Sequence, residues 1–232
     1  QGPDFAYGFD AATGLLVSIQ FRDRELLAGP LRPDFWRAPN DNDRGSDMMR
    51  RLGVWRDAHR SLVVRGFRTD KPARGVVRLL LEAELASVGA RYAVEYTVYG
   101  NGLLVVEPSF DPGEARLPEL PRFGMQAALV PGFEQLAWYG PGPQETYLDR
   151  RDLPVGVYRK TVSDNYFPYS QPQETGNKVE VRWATLTHRE GVALLAIGQP
   201  LLGVNALHHT AQDLDQAGHH HQLPRRAETF LN

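Results

Sequence analysis

The feature that most constrains the fold of this chain is an alternation of apolar and polar residues that ends at an Asn-Gly turn. From Tyr92 to Val98 every second residue is a large apolar one, and Ala, Glu and Thr lie between them, as in a half-buried strand. Gly100-Asn101-Gly102 follows and leads into the run Leu103 to Glu107. Asn-Gly between two such runs predicts a β-hairpin whose central residues both have positive φ.

Similar alternation is the dominant pattern along the chain and predicts an all-β fold. Further candidate strands are Phe5 to Phe9, Leu15 to Phe21, Ser61 to Phe67, Val76 to Leu85, Arg122 to Leu129, Gln135 to Tyr139, Val179 to Thr187, Val192 to Gly198 and Leu202 to Ala206. With 22 Gly and 17 Pro to form turns, the pattern is typical of antiparallel sheets packed face to face.

Helical pattern is scarce, and one long segment lacks strand pattern. Only Asp47 to His59 has the composition of a short helix, with Ser46 as its candidate N-cap. The segment from Gly140 to Gly176 is poor in strand pattern, and loops of that length are usually functional or cover an interface. The predicted fold class is therefore all-β, with antiparallel sheets and few short helices.

Composition limits the functions that the chain can have. Its 232 residues, 42% of them hydrophobic, are enough for one large core, so we predict a single domain over 1–232. A net charge of −2 supplies no basic field, which argues against nucleic acid and membrane surfaces as partners. The absence of cysteine excludes disulfides and fits a cytoplasmic location, and nothing resembles a signal peptide or a membrane-spanning run.

Three motifs carry the functional information. The first is a polar, turn-forming run that leaves the buried aromatic pair Phe35-Trp36, where Asn and Asp can bond their own backbone and form a rigid, shaped loop. Its residues are Trp36, Arg37, Asn40, Asp41, Asn42 and Asp43, followed by Gly45, Ser46 and Asp47. The second motif contains Gly140, Gly142, Glu145, Tyr147, Asp149 and Arg150. The third contains Gln173, Glu174 and Asn177 and leads into Val181-Arg182-Trp183.

Together these motifs resemble the C-terminal domain, domain 5 or small-chain-like, of the β-galactosidases of glycoside hydrolase family 2. The second and third are similar to the family patterns YGxGPxExYxDR and PYxxPQExGN…RW, with Thr146 and Thr175 where Asn is commoner. The resemblance implies a β-supersandwich of the galactose-mutarotase-like kind. It also implies a single domain that is truncated at its C-terminus relative to the family domain, so that a strand near Thr229 to Leu231 is expected to lack a neighbour.

The resemblance also implies how such a domain works. In the family, both catalytic carboxylates lie in a (β/α)₈ barrel of the same polypeptide, and the parent enzyme hydrolyses terminal β-D-galactosides and is homo-oligomeric. This domain is then an accessory, carbohydrate-binding part that docks on the barrel and has neither catalytic residues nor a metal or cofactor. The family commonly uses Mg²⁺ and Na⁺ in the catalytic domain.

The loop after the first motif is the part expected to reach the substrate. By resemblance, the segment that begins with Gly45, Ser46 and Asp47 borders the substrate pocket, with Gly45 as the hinge of a mobile stretch that extends to Arg51. Alternatively, Gly45 only supplies a positive φ ahead of the short helix. The sequence leaves both interpretations open.

Several polar groups have simpler structural interpretations. Asp41 and Asp43 are two residues apart in a turn, where such side chains commonly cap backbone amides. Glu145 and Asp149 lie next to Arg150 and Arg151, which favours ion pairs over catalysis because a neighbouring arginine lowers a carboxyl pKa. The run His219-His220-His221 resembles a solvated loop, with adventitious metal binding as the alternative.

Two other functions remain alternatives. An autonomous mutarotase-like enzyme, an aldose epimerase, would need a His and a carboxylate to exchange protons with a free sugar, and His188 with Glu174 or Glu145 are the candidates. A free-standing carbohydrate-binding module would need an exposed aromatic platform. A pocket with a convergent His and Glu would favour the epimerase, and a loop-rich face without such a pair would favour the accessory domain.

Overall fold

Antiparallel strands are the main secondary structure of the computed structural model, which describes residues 1–232. The strands are β1 (Phe5–Phe9), β2 (Leu16–Phe21), β3 (Arg24–Glu25), β4 (Arg32–Asp34), β5 (Leu62–Ala73), β6 (Val76–Leu85), β7 (Ala90–Tyr99), β8 (Leu104–Asp111), β9 (Gly124–Leu129), β10 (Phe133–Pro141), β11 (Val155–Thr161), β12 (Lys178–His188), β13 (Ala193–Val204), β14 (Ala206–Leu207) and β15 (Thr229–Leu231). The α-helices are α1 (Asp41–Gly45), α2 (Met48–Leu52), α3 (Val162–Asn165) and α4 (Ala211–Gln216). The predicted all-β fold class, with antiparallel sheets and few short helices, is confirmed. No helix has the length and apolar composition needed to cross a bilayer.

The chain divides into two compact units. The first unit comprises Gln1–Arg37 and Asp47–Met125, and the second comprises Ala38–Ser46 and Gln126–Asn232. The prediction of a single domain over 1–232 stays a prediction.

The first unit contains the sheets β1-β2-β3 and β5-β6-β7-β8. The predicted hairpin joins β7 to β8, with Val98 opposite Leu104. Its turn differs from the prediction, because among the turn residues only Gly102 has positive φ, at 87°. The Gly102 N–H donates to the Tyr99 carbonyl at 2.9 Å, so the chain turns before it reaches the left-handed residue.

The two faces of β5-β6-β7-β8 have opposite chemistry. On one face Tyr92, Val94 and Tyr96 are buried, and the Tyr92 ring packs edge-on against Phe35 with 5.8 Å between ring centroids. The other face carries Arg–carboxylate pairs across neighbouring strands, with N–O distances of 2.6 to 2.8 Å: Arg65–Glu84, Arg68–Glu82 and Arg91–Asp111. We call this second surface the ion-paired face, and its charges keep it hydrated.

The second unit is built on the sheet β11-β10-β12-β13. Leu136, Trp138 and Leu186 point into the core from β10 and β12. A further set of strands places β15 between β14 and β9, with Phe230 opposite both Leu207 and Ala128. The expected unpaired edge near Thr229 to Leu231 is therefore wrong, because β15 has a hydrogen-bonded neighbour on each side.

The segment from Gly140 to Gly176 is more regular than its sequence indicates. It contains β11, which pairs with β10 from Val155 opposite Pro141 to Thr161 opposite Gln135, and it ends in α3 and a loop. The sequence pattern missed β11 because its valines alternate with Gly156 and point outward, while Arg159 and Lys160 follow. The ordered part of this segment positions the second and third motifs.

Candidate functional site

The loop of the first motif is built around α1, a short helix that the sequence pattern did not predict. Asn40 caps the helix by accepting from the Asp43 N–H at 2.9 Å, and Asp43 accepts in return from the Asn40 N–H at 2.9 Å. This reciprocal pair forms a capping box. Asp43 therefore caps backbone amides, as its structural interpretation proposed. Ser46 is not the N-cap of a longer helix, since it follows the end of α1 and its N–H donates to the Asn42 carbonyl at 2.9 Å.

The positive φ in this loop belongs to Asp47, at 57°, and not to Gly45. The interpretation that Gly45 is present to supply a positive φ is therefore wrong. A methyl group at Gly45 would meet no atom within 4 Å. The predicted helix over Asp47 to His59 consists of α2 followed by two short 3₁₀ turns, at Gly53–Trp55 and Ala58–Ser61. The hinge role of Gly45 stays a prediction.

The base of α1 is fixed to the third motif. The Asp41 N–H donates to Gln173 Oε1 at 3.2 Å, and Gln173 Nε2 donates to Asp41 Oδ2 at 3.3 Å. Arg44 Nη2 donates to the Pro172 carbonyl at 2.9 Å and also pairs with Asp41. Residues more than 120 positions apart in the sequence are thereby held together. Asn42 and Gly45, by contrast, are exposed.

The second and third motifs meet at Glu145 and Thr146. Glu145 accepts from the Gly176 N–H at 2.6 Å, from Arg150 Nη2 at 2.6 Å and from the Tyr169 hydroxyl. Burial raises the pKa of Glu145, but these hydrogen bonds outweigh burial, so the pKa lies below its usual value. The ion-pair interpretation of Glu145 agrees with this geometry. Thr146 and Asn177 are joined by two further bonds, of 2.8 and 3.1 Å.

A buried lysine lies beneath this cluster, and sequence analysis missed it. Lys178 Nζ donates to Asn165 Oδ1 and to the Gly176 carbonyl, each at 2.6 Å, and it lies 4.8 Å from the centroid of a Trp138 ring. Burial lowers the pKa of Lys178 to about 7. Nothing in the sequence distinguishes this lysine from a solvated one, because its burial depends on partners from α3 and β10.

The buried carboxylate of the third motif is held by the same network. Glu174 accepts from Asn205 Nδ2 at 3.2 Å, and the same amide donates to the Thr175 carbonyl at 2.7 Å. The Tyr147 hydroxyl is buried without a hydrogen-bond partner, and burial raises its pKa. Asp149 is exposed. The motif residues therefore form a polar framework rather than an open pocket.

The motif glycines allow close packing of backbone. An added Cβ at Gly140 would lie 3.1 Å from Val181 Cα, and one at Gly142 would lie 2.6 Å from the Tyr158 ring. Trp36 belongs to the first unit, where it is buried and its backbone N–H donates to Asp34 Oδ1 at 3.3 Å. Arg37 ends the first segment of that unit.

His220, the middle residue of the histidine run, fixes the exposed start of the third motif. Its Nδ1 lies 2.8 Å from the Tyr166 hydroxyl, and its Nε2 contacts the Tyr169 carbonyl. Because a carbonyl can only accept, Nε2 carries the hydrogen. The run is exposed, as predicted, and no three His, Asp or Glu side chains converge as metal ligands. The exposed Phe167 ring is tilted by 58° against Tyr169, so these two rings form no flat platform for a sugar.

The residues suggested for an epimerase do not come together. His188 Nε2 lies 3.1 Å from the Pro131 carbonyl and its Nδ1 accepts from the Glu190 N–H, whereas Glu145 and Glu174 are bonded elsewhere. A different pair does form: His208 Nε2 lies 2.7 Å from Glu134 Oε2.

The His208–Glu134 pair is fully engaged by protein atoms. His208 Nδ1 bonds the Glu228 carbonyl at 2.9 Å, and the second oxygen of Glu134 accepts from the Ser163 N–H and hydroxyl. A proton-exchanging pair needs a free position for the sugar, and this one has none. The epimerase alternative is not favoured.

Comparison with known proteins identifies the family. The profile described as "Beta galactosidase small chain" matches residues 1–232. The chain belongs to the β-galactosidase small-chain family. It is 37% identical over 224 residues to a β-galactosidase of Priestia megaterium, covering 96% of this chain and 22% of that protein. It is 31% identical over 237 residues to a β-galactosidase of Halalkalibacterium halodurans, covering 100% of this chain and 23% of that protein.

A third relative of this β-galactosidase small-chain member is much shorter than the other two, and the match covers most of it. The "Beta-galactosidase small subunit" of Latilactobacillus sakei is 25% identical over 264 residues, which cover 100% of this chain and 82% of the relative. The chain therefore spans about a fifth of the length of the two long relatives and most of the small subunit. The expected relationship to β-galactosidases, and to an accessory part of them, is confirmed.

Proposed function

We propose that this β-galactosidase small-chain domain is the accessory C-terminal domain, domain 5, of a glycoside hydrolase family 2 enzyme that hydrolyses terminal β-D-galactosides. It docks on the catalytic barrel and contributes the loop of Gly45, Ser46 and Asp47 to the rim of the active site. It supplies no catalytic carboxylate.

The observation that carries this proposal is a loop with a fixed base and an exposed tip. The base of α1 is bonded to Gln173 and Pro172, while α1 itself contains no buried residue and Gly45 to Asp47 are exposed. A loop held in this way can complete a neighbouring pocket without losing its own shape. Loops that border substrate pockets are commonly built like this, with a rigid scaffold beneath a free tip.

The hydrogen bonds and the pKa of the acidic motif residues support the proposal that this domain supplies no catalytic carboxylate. Hydrolysis of a glycoside needs a general acid with a raised pKa and a second carboxylate across the scissile bond. The pKa of Glu145 is lowered by the groups that donate to it, Asp43 is used in a capping box, and Asp41 is bonded to Gln173 and Arg44. The acid and nucleophile are then supplied by the barrel.

The test is a bulky substitution at the loop tip in the full-length polypeptide that carries this chain. Ser46→Tyr should change kcat/KM for a chromogenic β-galactoside by about tenfold or more, because a pocket rim that is displaced by 1 Å misplaces the substrate. Ser87→Tyr is the matched control, since Ser87 is an exposed serine of the first unit outside the motifs. Both variants should melt within about 2 °C of the parent, as exposed substitutions do.

Two results would contradict the proposal. If kcat, KM and competitive inhibition by galactose are unchanged in the Ser46→Tyr enzyme, the loop does not border the active site. Equal kinetic effects of Ser46→Tyr and Ser87→Tyr would mean that the change is not local to the loop.

A further inference from the structure

One sheet surface of the second unit is both apolar and exposed. Strand register places Val157, Tyr139, Trp183 and Ile197 in one row across β11, β10, β12 and β13. Leu195 lies two residues along β13 from Ile197, on the same side of the sheet. The side chains of Ile197 and Leu195 are 60% and 54% exposed. The surface, here named the apolar sheet face, consists of Tyr139, Val155, Val157, Trp183, Leu195 and Ile197.

A hydrated sheet surface elsewhere in the same chain carries charged residues. The ion-paired face of β5-β6-β7-β8 has the same strand architecture, but Arg65, Arg68 and Arg91 pair there with carboxylates on neighbouring strands. Alternating strands normally direct polar residues to solvent and apolar residues to a packed neighbour. The sheet β11-β10-β12-β13 is apolar on both of its sides, as in sheets that are covered on both sides. One side packs into the core of the unit, and the apolar sheet face is the other.

The size and charge of this face fit a protein partner. Strand spacing of about 4.8 Å and same-face residue spacing of about 7 Å give a patch roughly 15 Å on each side. Such a patch can form the centre of a standard interface, which buries about 800 Å² per partner. Arg159 lies two residues along β11 from Val157, on the same side of the sheet, and it makes no ion pair within the chain, unlike the arginines of the ion-paired face. A carboxylate on the partner would complete it.

The chemistry of the face selects against a sugar. Four of its six side chains are aliphatic. The two aromatic rings, Tyr139 and Trp183, are tilted by 48° to each other and Arg182 lies over the Tyr139 ring, so they present no flat platform for a sugar. Aliphatic patches are buried instead by apolar surfaces of other proteins.

We propose that the apolar sheet face binds the larger remaining part of a β-galactosidase, through an apolar surface with an acidic residue opposite Arg159. The long relatives carry more than three quarters of their length outside the matched region, and the small subunit of L. sakei is a separate chain. A separate small subunit must hold its partner without a peptide link, which requires a surface of this kind. The inference rests on the proposed function, since it assumes that the chain works as part of a β-galactosidase.

The test is the accessibility of introduced cysteines in the full-length polypeptide. The chain contains no cysteine, so Ile197→Cys and Leu103→Cys each add one defined thiol to it. Leu103 is the matched control because its side chain is 49% exposed and lies in the β7–β8 turn. In the folded enzyme, Ile197→Cys should react with a maleimide at least about tenfold more slowly than Leu103→Cys, since burial at an interface excludes the reagent. The two rates should be equal in denaturant.

The control outcomes separate the alternatives. Equal rates in the folded enzyme would overturn the proposal. If protection of Ile197→Cys disappears on dilution, the occupant lies in a second copy of the polypeptide and docking within one polypeptide is overturned, because contact within one polypeptide does not depend on concentration. If the rates are equal but Ser46→Tyr still alters turnover, only the docking face is refuted, whereas failure of both experiments rejects the proposed function as well.

Discussion

Replacement of Glu145 by Gln tests whether the motif residues form a charged framework. Glu145 uses both of its oxygens: Oε1 accepts from the Tyr169 hydroxyl and from Arg150, and Oε2 accepts from the Gly176 N–H and the Thr175 hydroxyl. A glutamine keeps one oxygen and turns the other position into a donor. The NH₂ group must then face either the Tyr169 hydroxyl and Arg150 or the Gly176 N–H and the Thr175 hydroxyl, all of which are donors to Glu145.

The loss of stability can be worked out from these contacts. The hydroxyl of Tyr169 can rotate, so the amide nitrogen should turn toward it and leave the oxygen to the Gly176 N–H. Hydrogen bonds to a charged acceptor contribute about 1.5 to 3 kcal/mol and those to a neutral acceptor about 0.5 to 1.5 kcal/mol. The exposed Arg150 adds less than about 1 kcal/mol because water screens it. Glu145→Gln should therefore lower the free energy of unfolding by about 2 to 4 kcal/mol.

Urea denaturation at pH 7 measures this loss, and Glu180→Gln is the control. Glu180 also pairs with an arginine, Arg151 at 2.7 Å, but its side chain is 37% exposed, whereas that of Glu145 is 9% exposed. The control should lose less than about 1 kcal/mol. The pH dependence gives a second measurement. Because the pKa of folded Glu145 lies below its usual 4.5, its contribution is present above that pH and is lost as the pH falls further. Glu145→Gln should not show this loss.

Equal losses in the two variants would refute the reasoning. So would a Glu145→Gln chain whose stability falls with acid as steeply as that of the parent. Either result would mean that Glu145 contributes no more than a surface ion pair.

Three further predictions follow from the loop, the acidic residues and the buried lysine. Gly45→Ala in the full-length enzyme should keep or raise the melting temperature, because a methyl group there meets no atom within 4 Å and restricts the unfolded chain, while kcat or KM changes if Gly45 is a hinge. The 232-residue chain alone should not hydrolyse a chromogenic β-galactoside, and activity that disappears on mutation of one of its residues would contradict this. Since the pKa of folded Lys178, about 7, lies below that of an unfolded lysine, the free energy of unfolding should rise with pH between 7 and 9. The rise should be about 2 kcal/mol larger in the parent than in Lys178→Met, as denaturation in urea at several pH values can show.

Strand positions could be predicted from the sequence because the alternation of apolar and polar residues indicates which side of a strand is buried. Both β1 and β6 match their predicted bounds, and the β7–β8 hairpin forms where Asn-Gly indicates. The prediction failed for strands in which apolar residues do not lie on the buried side. In β11 the valines face outward, so the strand lacks the usual contrast between a core side and a water side.

The loop shows a second kind of error, in which a correct signal was assigned to the wrong residue. Asn40 followed three positions later by Asp43 is a capping-box pattern, and it begins α1, whereas the sequence pattern predicts Ser46 as the N-cap. Lys178 shows a limit of another kind. Its burial depends on a carbonyl of the third motif and on Asn165, which a single sequence does not place beside it.

The motifs and the apolar sheet face should respond differently to mutation, because they perform different physical tasks. Glu145, Asn177 and Lys178 satisfy buried polar groups within the chain, and an unsatisfied group costs stability whether or not a partner is present. Ile197 and Leu195 satisfy nothing within the chain, so their replacement by polar residues should leave the folding of the separate domain unchanged and weaken only its assembly. The buried polar residues of the motifs should therefore affect folding, whereas Ile197 and Leu195, which lie outside all three motifs, should affect assembly alone.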